Sequence, residues 1–226
     1  MVPRPAATVM LVRPAAAGIA VYMTRRSSRS RFMPDAYVFP GGAVDASDGD
    51  LPAAYAVAAL RELFEEAGIL LARDADGQPA RLDPDALSAL RRDASGTGLV
   101  TLLEARGLRL DVAALTYYSN WITPKSEPIR FDAHFFIARA PEDQIAAADA
   151  IEVHDGRWIA AADAIASADR GELTVRFPTR KHLERIARFA EIDAFLAHAR
   201  ARTVVAVMPY DDGTEAYGIP GGADAW

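Results

Sequence analysis

The spacing of apolar residues changes period several times along the chain, and each change marks an element. Residues 6–12 and 19–24 are apolar and rich in β-branched side chains, with a turn around Pro14 to Gly18 between them, so both are expected to be strands. Residues 37–39 form a further short strand that runs into a glycine pair. From Ala53 to Ala67 the period becomes helical, at roughly 100° per residue. Val57, Leu60, Leu63, Phe64 and Ala67 then share one side, and the alanine content favours a helix. RDADGQP (73–79) is a turn cluster, and the segment from Pro84 is predicted helical, with Asp83 as its N-cap and Pro84 in its first turn. Strands are expected again at 114–123, 130–138 and 153–159, a helix at 161–168, and a helix capped by Thr179 running to about Ala190. The last expected strand is 203–208. Mixed strands with helices between them and no regular βαβ repeat predict an α/β (α+β) sandwich around a mixed central sheet.

One helix carries chemistry. RELFEEAGI, from Arg61 to Ile69, places Glu62, Glu65 and Glu66 within five positions, on the side opposite the apolar residues. Like charges at these spacings cost a helix a few tenths of a kcal/mol per pair, about 0.2–0.5. A hard divalent cation reverses the sign, because Mg²⁺ takes oxygen ligands from few carboxylates plus substrate phosphates. Glutamate clusters on helices are usually solvated faces; here the context argues for more. FPGG (39–42) precedes the helix, and Gly68 ends it where a left-handed glycine belongs. GIPGG (218–222) echoes FPGG, but only four residues follow it, so it is read as a turn.

These residues resemble a Nudix box, whose pattern is G-x5-E-x7-R-E-U-x-E-E-x-G-U with U a bulky aliphatic residue. Arg61, Glu62, Leu63, Glu65, Glu66, Gly68 and Ile69 fit its second half at every fixed position. The first half departs: with five residues intervening after Gly42 the pattern lands on Asp48, and twelve residues separate Asp48 from Arg61 where the family has seven. This reads as a loop insertion containing GDLP, with Asp48 standing in for the first glutamate and Asp45 or Asp50 as alternatives. Upstream, Tyr22 to Gly42 is similar to the motif L-L-T-x-R-[SA]-x3-R-x3-G-x3-F-P-G-G of Nudix enzymes that cleave coenzyme A. Thr24, Arg26, Ser27, Arg31, Phe39, Pro40, Gly41 and Gly42 are in register, and Asp35 replaces the first glycine. NWITPKSEPIRFDAHFF (120–136) resembles a segment of the animal coenzyme A diphosphatases.

Composition narrows the classes further. A chain of 226 residues, 51% of them hydrophobic, is long enough for one good core and short for two. Without cysteine there are no disulfides, thiolate nucleophiles or cysteine-based zinc sites, which suits a reducing cytoplasm, the expected location. No apolar run reaches the ~20 residues of a membrane span, the N-terminus lacks a signal-peptide pattern, and ADAW at the end is no peroxisomal tripeptide. A net charge of -6 argues against binding nucleic acid. Positive charge is instead concentrated in Arg25, Arg26, Arg29 and Arg31, a cluster suited to phosphate oxygens.

The resemblance implies a Nudix-type α/β/α sandwich: a single hydrolase domain over 1–226 with a helical insertion at about 73–112. It implies Mg²⁺ or Mn²⁺ held by Glu62, Glu65, Glu66 and Asp48, and catalysis by Glu62, Glu65, Arg61 and Glu127, with Arg61 orienting a box carboxylate. Glu127, in the proline-flanked loop TPKSEP, is a candidate base or a surface carboxylate. Arg26, Arg31, Gly41 and Gly42 are the expected substrate contacts, the glycines serving a tight backbone turn. Tyr117, Tyr118 and Trp121 suit either the core or a nucleotide pocket. The expected reaction is hydrolysis of coenzyme A or acyl-CoA to 3′,5′-ADP and 4′-phosphopantetheine. Alternatives are a pyrophosphatase for ADP-ribose, NADH or dinucleotides, and a Nudix-fold sensor that binds a nucleotide without cleaving it. The partner is a small nucleotide, with neither nucleic acid nor membrane; a homodimer is compatible with the sequence.

Overall fold

The structure is a computed structural model describing residues 2–30, 33–149, 153–211, 217–222 and 226. In chain order the elements are β1 (Arg4–Ala15), β2 (Gly18–Arg26), β3 (Tyr37–Val38), β4 (Gly41–Ala43), α1 (Ala54–Ala67), β5 (Ala72–Arg73), α2 (Pro84–Thr97) and α3 (Leu99–Glu104). They continue with β6 (Arg109–Leu110), β7 (Thr116–Ile122), β8 (Phe131–Arg139), β9 (Val153–Ala160), α4 (Ala161–Asp169), α5 (Phe177–Ile186), α6 (Ile192–Arg200), β10 (Ala206–Val207), β11 (Tyr210–Asp211) and β12 (Tyr217–Gly218).

A mixed sheet runs β10-β7-β8-β1-β2-β3, with β9 added to β2 and β4 added to β1. β1 and β8 are parallel, whereas β1–β2, β1–β4 and β7–β8 are antiparallel. The period-two alternation of the strands sorts side chains onto two faces. Met10, Val12, Ile19, Val21, Phe135 and Ile137 meet α4, α5 and α6 in one core; Val9, Leu11, Tyr22, Phe136 and Ala138 meet α1 in another. Both faces are covered, so the central strands are continuous apolar runs. The expected α/β/α layering is what the chain adopts.

β1 forks. Its first half pairs with β4 over Ala6–Thr8 and its second half with β2 from Val12 onward. α1 lies across this fork, and Ala58 and Ala59, fully buried, let it approach the sheet closely. Behind α1, α2 and α3 build a third core, in which Leu90, Ala94, Leu99 and Leu103 surround Phe64. Asp83 caps α2 as predicted, accepting from the Ala86 N–H at 2.8 Å.

Three local expectations are corrected. Thr179 is buried inside α5, which begins at Phe177 with Pro178 in its first turn, so the proline starts the helix and Thr179 caps nothing. That helix stops at Ile186, and a separate α6 follows. The strand expected at 203–208 shrinks to Ala206–Val207, an edge pair parallel to β7. No helix among the described residues is long and apolar enough to cross a membrane.

Candidate active site

Arg61 is the centre of the site. It is 6% exposed and donates five hydrogen bonds. Nε and Nη2 grip the two Asp48 oxygens at 2.8 and 2.9 Å, Nη2 also reaches the Ala43 carbonyl at 3.0 Å, and Nη1 bridges Glu62 at 2.8 Å and Glu65 at 3.0 Å. Burial alone would lower the Arg61 pKa; the Asp48 hydrogen bonds and the charge of Glu62 outweigh it and push the pKa up. The guanidinium is thus a fixed positive charge.

Asp48 lies at the end of a short 3₁₀ turn, Ala46–Asp48, capped by Asp45. Besides the fork from Arg61 it accepts the Asp45 N–H at 2.9 Å, and its side chain is fully buried. Its observed place is the anchor of Arg61, with both carboxylate oxygens taken by the guanidinium.

The three helix glutamates are not the exposed stripe that helical periodicity suggested. β4 and the turn after it run along that side of α1, so the Glu62 side chain is 13% exposed and that of Glu65 34%. Glu66 is 4% exposed, and its Oε2 accepts the main-chain N–H of Gly41 at 2.9 Å.

The glycine pair also has a reason other than the expected turn. Gly41 and Gly42 are strand residues of β4, neither among the left-handed glycines. What they supply is room. A Cβ on Gly41 would lie 2.5 Å from the Ala7 carbonyl oxygen, and one on Gly42 would lie 2.3 Å from Glu62 Oε1. Glu62 therefore rests in a cradle that only glycine leaves open.

These donors suit a hard divalent cation. They are carboxylate oxygens, and Glu62 and Glu65 already converge on one positive centre, Arg61 Nη1. As they stand, no three acidic or imidazole side chains among the described residues meet at a point.

The approach to the glycines is compatible with the coenzyme A motif. Asp35, the residue replacing the motif glycine, has φ 59, in the left-handed region that glycine favours and aspartate tolerates. Its carboxylate accepts from Arg25 at 2.7 Å. Arg26 reaches Ser30 Oγ at 3.0 Å and braces its own loop; Arg31 lies outside the described residues.

Glu127 is half-buried and accepts the Tyr217 hydroxyl of β12 at 2.5 Å. Its loop is braced from within by Arg130, whose Nε donates to the carbonyls of Thr123 at 3.0 Å and Pro124 at 3.1 Å.

The aromatic ambiguity resolves through a bulge between Tyr117 and Ser119. Tyr118 and Trp121 are core, whereas Tyr117 turns to the α1 face and stacks on His134, which stacks in turn on Tyr55 at 3.6 Å. Burial holds the Tyr117 hydroxyl up at about 12. Asp132 accepts from Asn120 at 2.6 Å beside this stack. Sequence reasoning missed the cluster, although polar residues alternating on otherwise apolar strands were a signal for it. It also missed Arg91 of α2, which donates to the Glu65 carbonyl at 2.6 and 3.0 Å; nothing in the sequence pointed there. Clefts of about 440 and 460 Å³ are lined by Leu70, Pro79 and Glu142 and by Thr116, Tyr117 and Arg200, and Glu62, Glu65 and Glu66 line neither.

Two family models match the chain: NUDT19 Nudix domain over residues 49–186 and NUDIX domain over residues 2–87. The chain is similar to the human acyl-coenzyme A diphosphatase NUDT19, 27% identical over 237 residues, covering 79% of this chain and 63% of that protein. It is likewise similar to the Xenopus laevis protein of the same name, 26% identical, covering 76% and 61%. It therefore spans less than two thirds of these relatives' length. A solved NUDIX hydrolase from Alicyclobacillus acidocaldarius is 31% identical with a TM-score of 0.77, covering 87% of this chain and 96% of that one.

Proposed function

The chain belongs to the Nudix family, and from that membership we propose that it hydrolyses the diphosphate bond of coenzyme A or an acyl-coenzyme A, giving 3′,5′-ADP and 4′-phosphopantetheine. The observation that carries the reading is the box itself. Glu62 and Glu65 converge on Arg61 Nη1, and Glu66 stands beside them on the Gly41 N–H. A Mg²⁺ or Mn²⁺ ion held by Glu62, Glu65 and Glu66 would supply positive charge to the diphosphate oxygens and lower the pKa of the attacking water.

The remaining roles fall to the chain. Arg61, gripped by Asp48, keeps Glu62 and Glu65 in register. One of those carboxylates, or Glu127, takes the proton of the attacking water. Arg26 and Arg31 meet the phosphates that the helix does not reach. Coenzyme A is favoured over ADP-ribose, NADH or a dinucleotide by the motif register from Thr24 to Gly42, in which Asp35, at the position of the motif glycine, has the left-handed φ that glycine favours. The names of the human and Xenopus relatives support the same substrate class.

A hydrolysis panel of coenzyme A, acyl-CoA, ADP-ribose, NADH and dinucleoside polyphosphates, with products identified by mass spectrometry, tests the reading. We expect cleavage of the coenzyme A compounds with Mg²⁺ or Mn²⁺, and its loss in Glu65→Gln and Glu66→Gln. Cleavage of ADP-ribose alone would overturn the substrate; undiminished turnover in both variants would overturn the mechanism.

A further inference from the structure

We propose that Arg91, delivered by the helical insertion, is a positioning residue that fixes the last turn of the metal-binding helix and so sets its affinity for the ion. The inference rests on the assignment of Glu65 and Glu66 to metal binding proposed above.

Carbonyls in the last turn have no intrahelical partner, and helix ends fray. Glu65 and Glu66 sit in that turn of α1, so side chains that must hold an ion project from the least fixed part of the element. The structure closes the turn from three directions. The Gly68 N–H donates to the Phe64 carbonyl at 2.9 Å, and the Ala147 N–H donates to the Ala67 carbonyl at 2.9 Å. Arg91 takes the carbonyl between them: Nε and Nη2 both donate to Glu65 O, at 3.0 and 2.6 Å. Its Nη1 donates to the Ala147 carbonyl at 3.0 Å, tying the turn to the segment that leads into β9. One side chain thus holds the backbone of a proposed ligand residue and the strap that caps its neighbour.

The surroundings are built for this contact. Gly68 is left-handed, and a Cβ there would come within 3.1 Å of Arg91 Nη1. One residue earlier, Leu90 packs against Phe64 in the third core, so α2 is seated on the back of α1 with Arg91 turned to its end. A cation at a helix C-terminus also complements the helix dipole. Glu66 is among the charges that Arg91 feels, so the guanidinium lies within electrostatic reach of a proposed ligand.

The test measures Mn²⁺ binding to the full chain by calorimetry, with no nucleotide present, in wild type, Arg91→Lys, Arg91→Met and Leu90→Ala. Groups that orient metal ligands typically change affinity about 10–100-fold when removed. We expect both Arg91 variants to weaken Mn²⁺ binding by at least about tenfold. In hydrolysis, the Mg²⁺ concentration for half-maximal rate should rise in step, while the rate at saturating Mg²⁺ changes little. Leu90→Ala removes core packing without touching the Glu65 carbonyl; it should lower Tm as much or more and leave Mn²⁺ affinity near that of wild type. Equal shifts in Leu90→Ala and Arg91→Met would overturn the proposal, reducing Arg91 to a packing role. Tighter binding in Arg91→Met with none lost in Arg91→Lys would also overturn it, since charge and not position would then dominate. A wild-type chain that binds no Mn²⁺ removes the proposed function as well; unchanged affinity in both Arg91 variants removes this inference alone.

Discussion

Replacing Asp48 with alanine separates two accounts of this residue, the anchor of Arg61 and the metal ligand that the resemblance implies. As the anchor of Arg61, Asp48 accepts three hydrogen bonds, two of them from a buried guanidinium. Breaking a buried ion pair by removing one partner costs about 3–5 kcal/mol, because the other charge is left uncompensated. Arg61 keeps Glu62, Glu65 and the Ala43 carbonyl, so the lower end of that range, about 3 kcal/mol, is the expected loss. For a chain of this size that lowers Tm by roughly 6–12 °C. Urea unfolding followed by tryptophan fluorescence measures it, since Trp121 and Trp226 are buried. Asp48→Asn preserves shape and one acceptor and should lose about half as much. Were Asp48 a metal ligand instead, Asp48→Asn would abolish Mn²⁺ binding at nearly unchanged stability. That result, or a loss below about 1 kcal/mol in Asp48→Ala, refutes the anchoring role.

Gly42→Ala should leave the fold standing, at a cost of about 1–3 kcal/mol, yet depress turnover strongly, because its Cβ displaces the Glu62 carboxylate; Gly41→Ala meets backbone and should destabilise more, and urea unfolding beside turnover distinguishes the two. Asp35→Gly relieves a left-handed aspartate while losing an exposed ion pair worth about 0.2–1 kcal/mol, so stability should stay within about 1 kcal/mol and substrate preference should not move. His182 is fully buried, and burial lowers its pKa from 6.5 to about 3. The unfolded chain therefore binds a proton that the folded one refuses, and stability falls as pH drops below about 6.5 toward 3, by about 1.4 kcal/mol per unit. His182→Asn should remove that component of the slope between pH 6 and 4 in parallel urea titrations; an unchanged slope would show that His182 contributes none of it.

The sequence made the helix legible because three carboxylates at i,i+3 and i,i+4 spacing are costly unless something uses them. Its burial was not legible. Periodicity gives the angle of a side chain about its helix, and β4, which covers that side of α1, arrives by tertiary pairing with β1. Asp48 could be found by counting from Gly42, and the resemblance gave Arg61 a box carboxylate as partner without saying which, since Arg61 meets Asp48 only once the intervening loop has folded back. α6 escaped because its first residue is preceded by Glu191, which makes no side-chain cap, and because the apolar period resets after Ile186. Tyr117 and Tyr118 could not be told apart while the bulge that reverses their facing was unknown.

The bond from Gly41 to Glu66 originates on an amide of the polypeptide itself. Side-chain replacements elsewhere in the approach, such as aspartate for the motif glycine at 35, leave such a donor untouched. Among the proteinogenic residues only proline lacks it. Glu66 is moored to the sheet by a feature of the covalent backbone, so the surrounding loops are at liberty to vary in length and charge while this carboxylate keeps its berth.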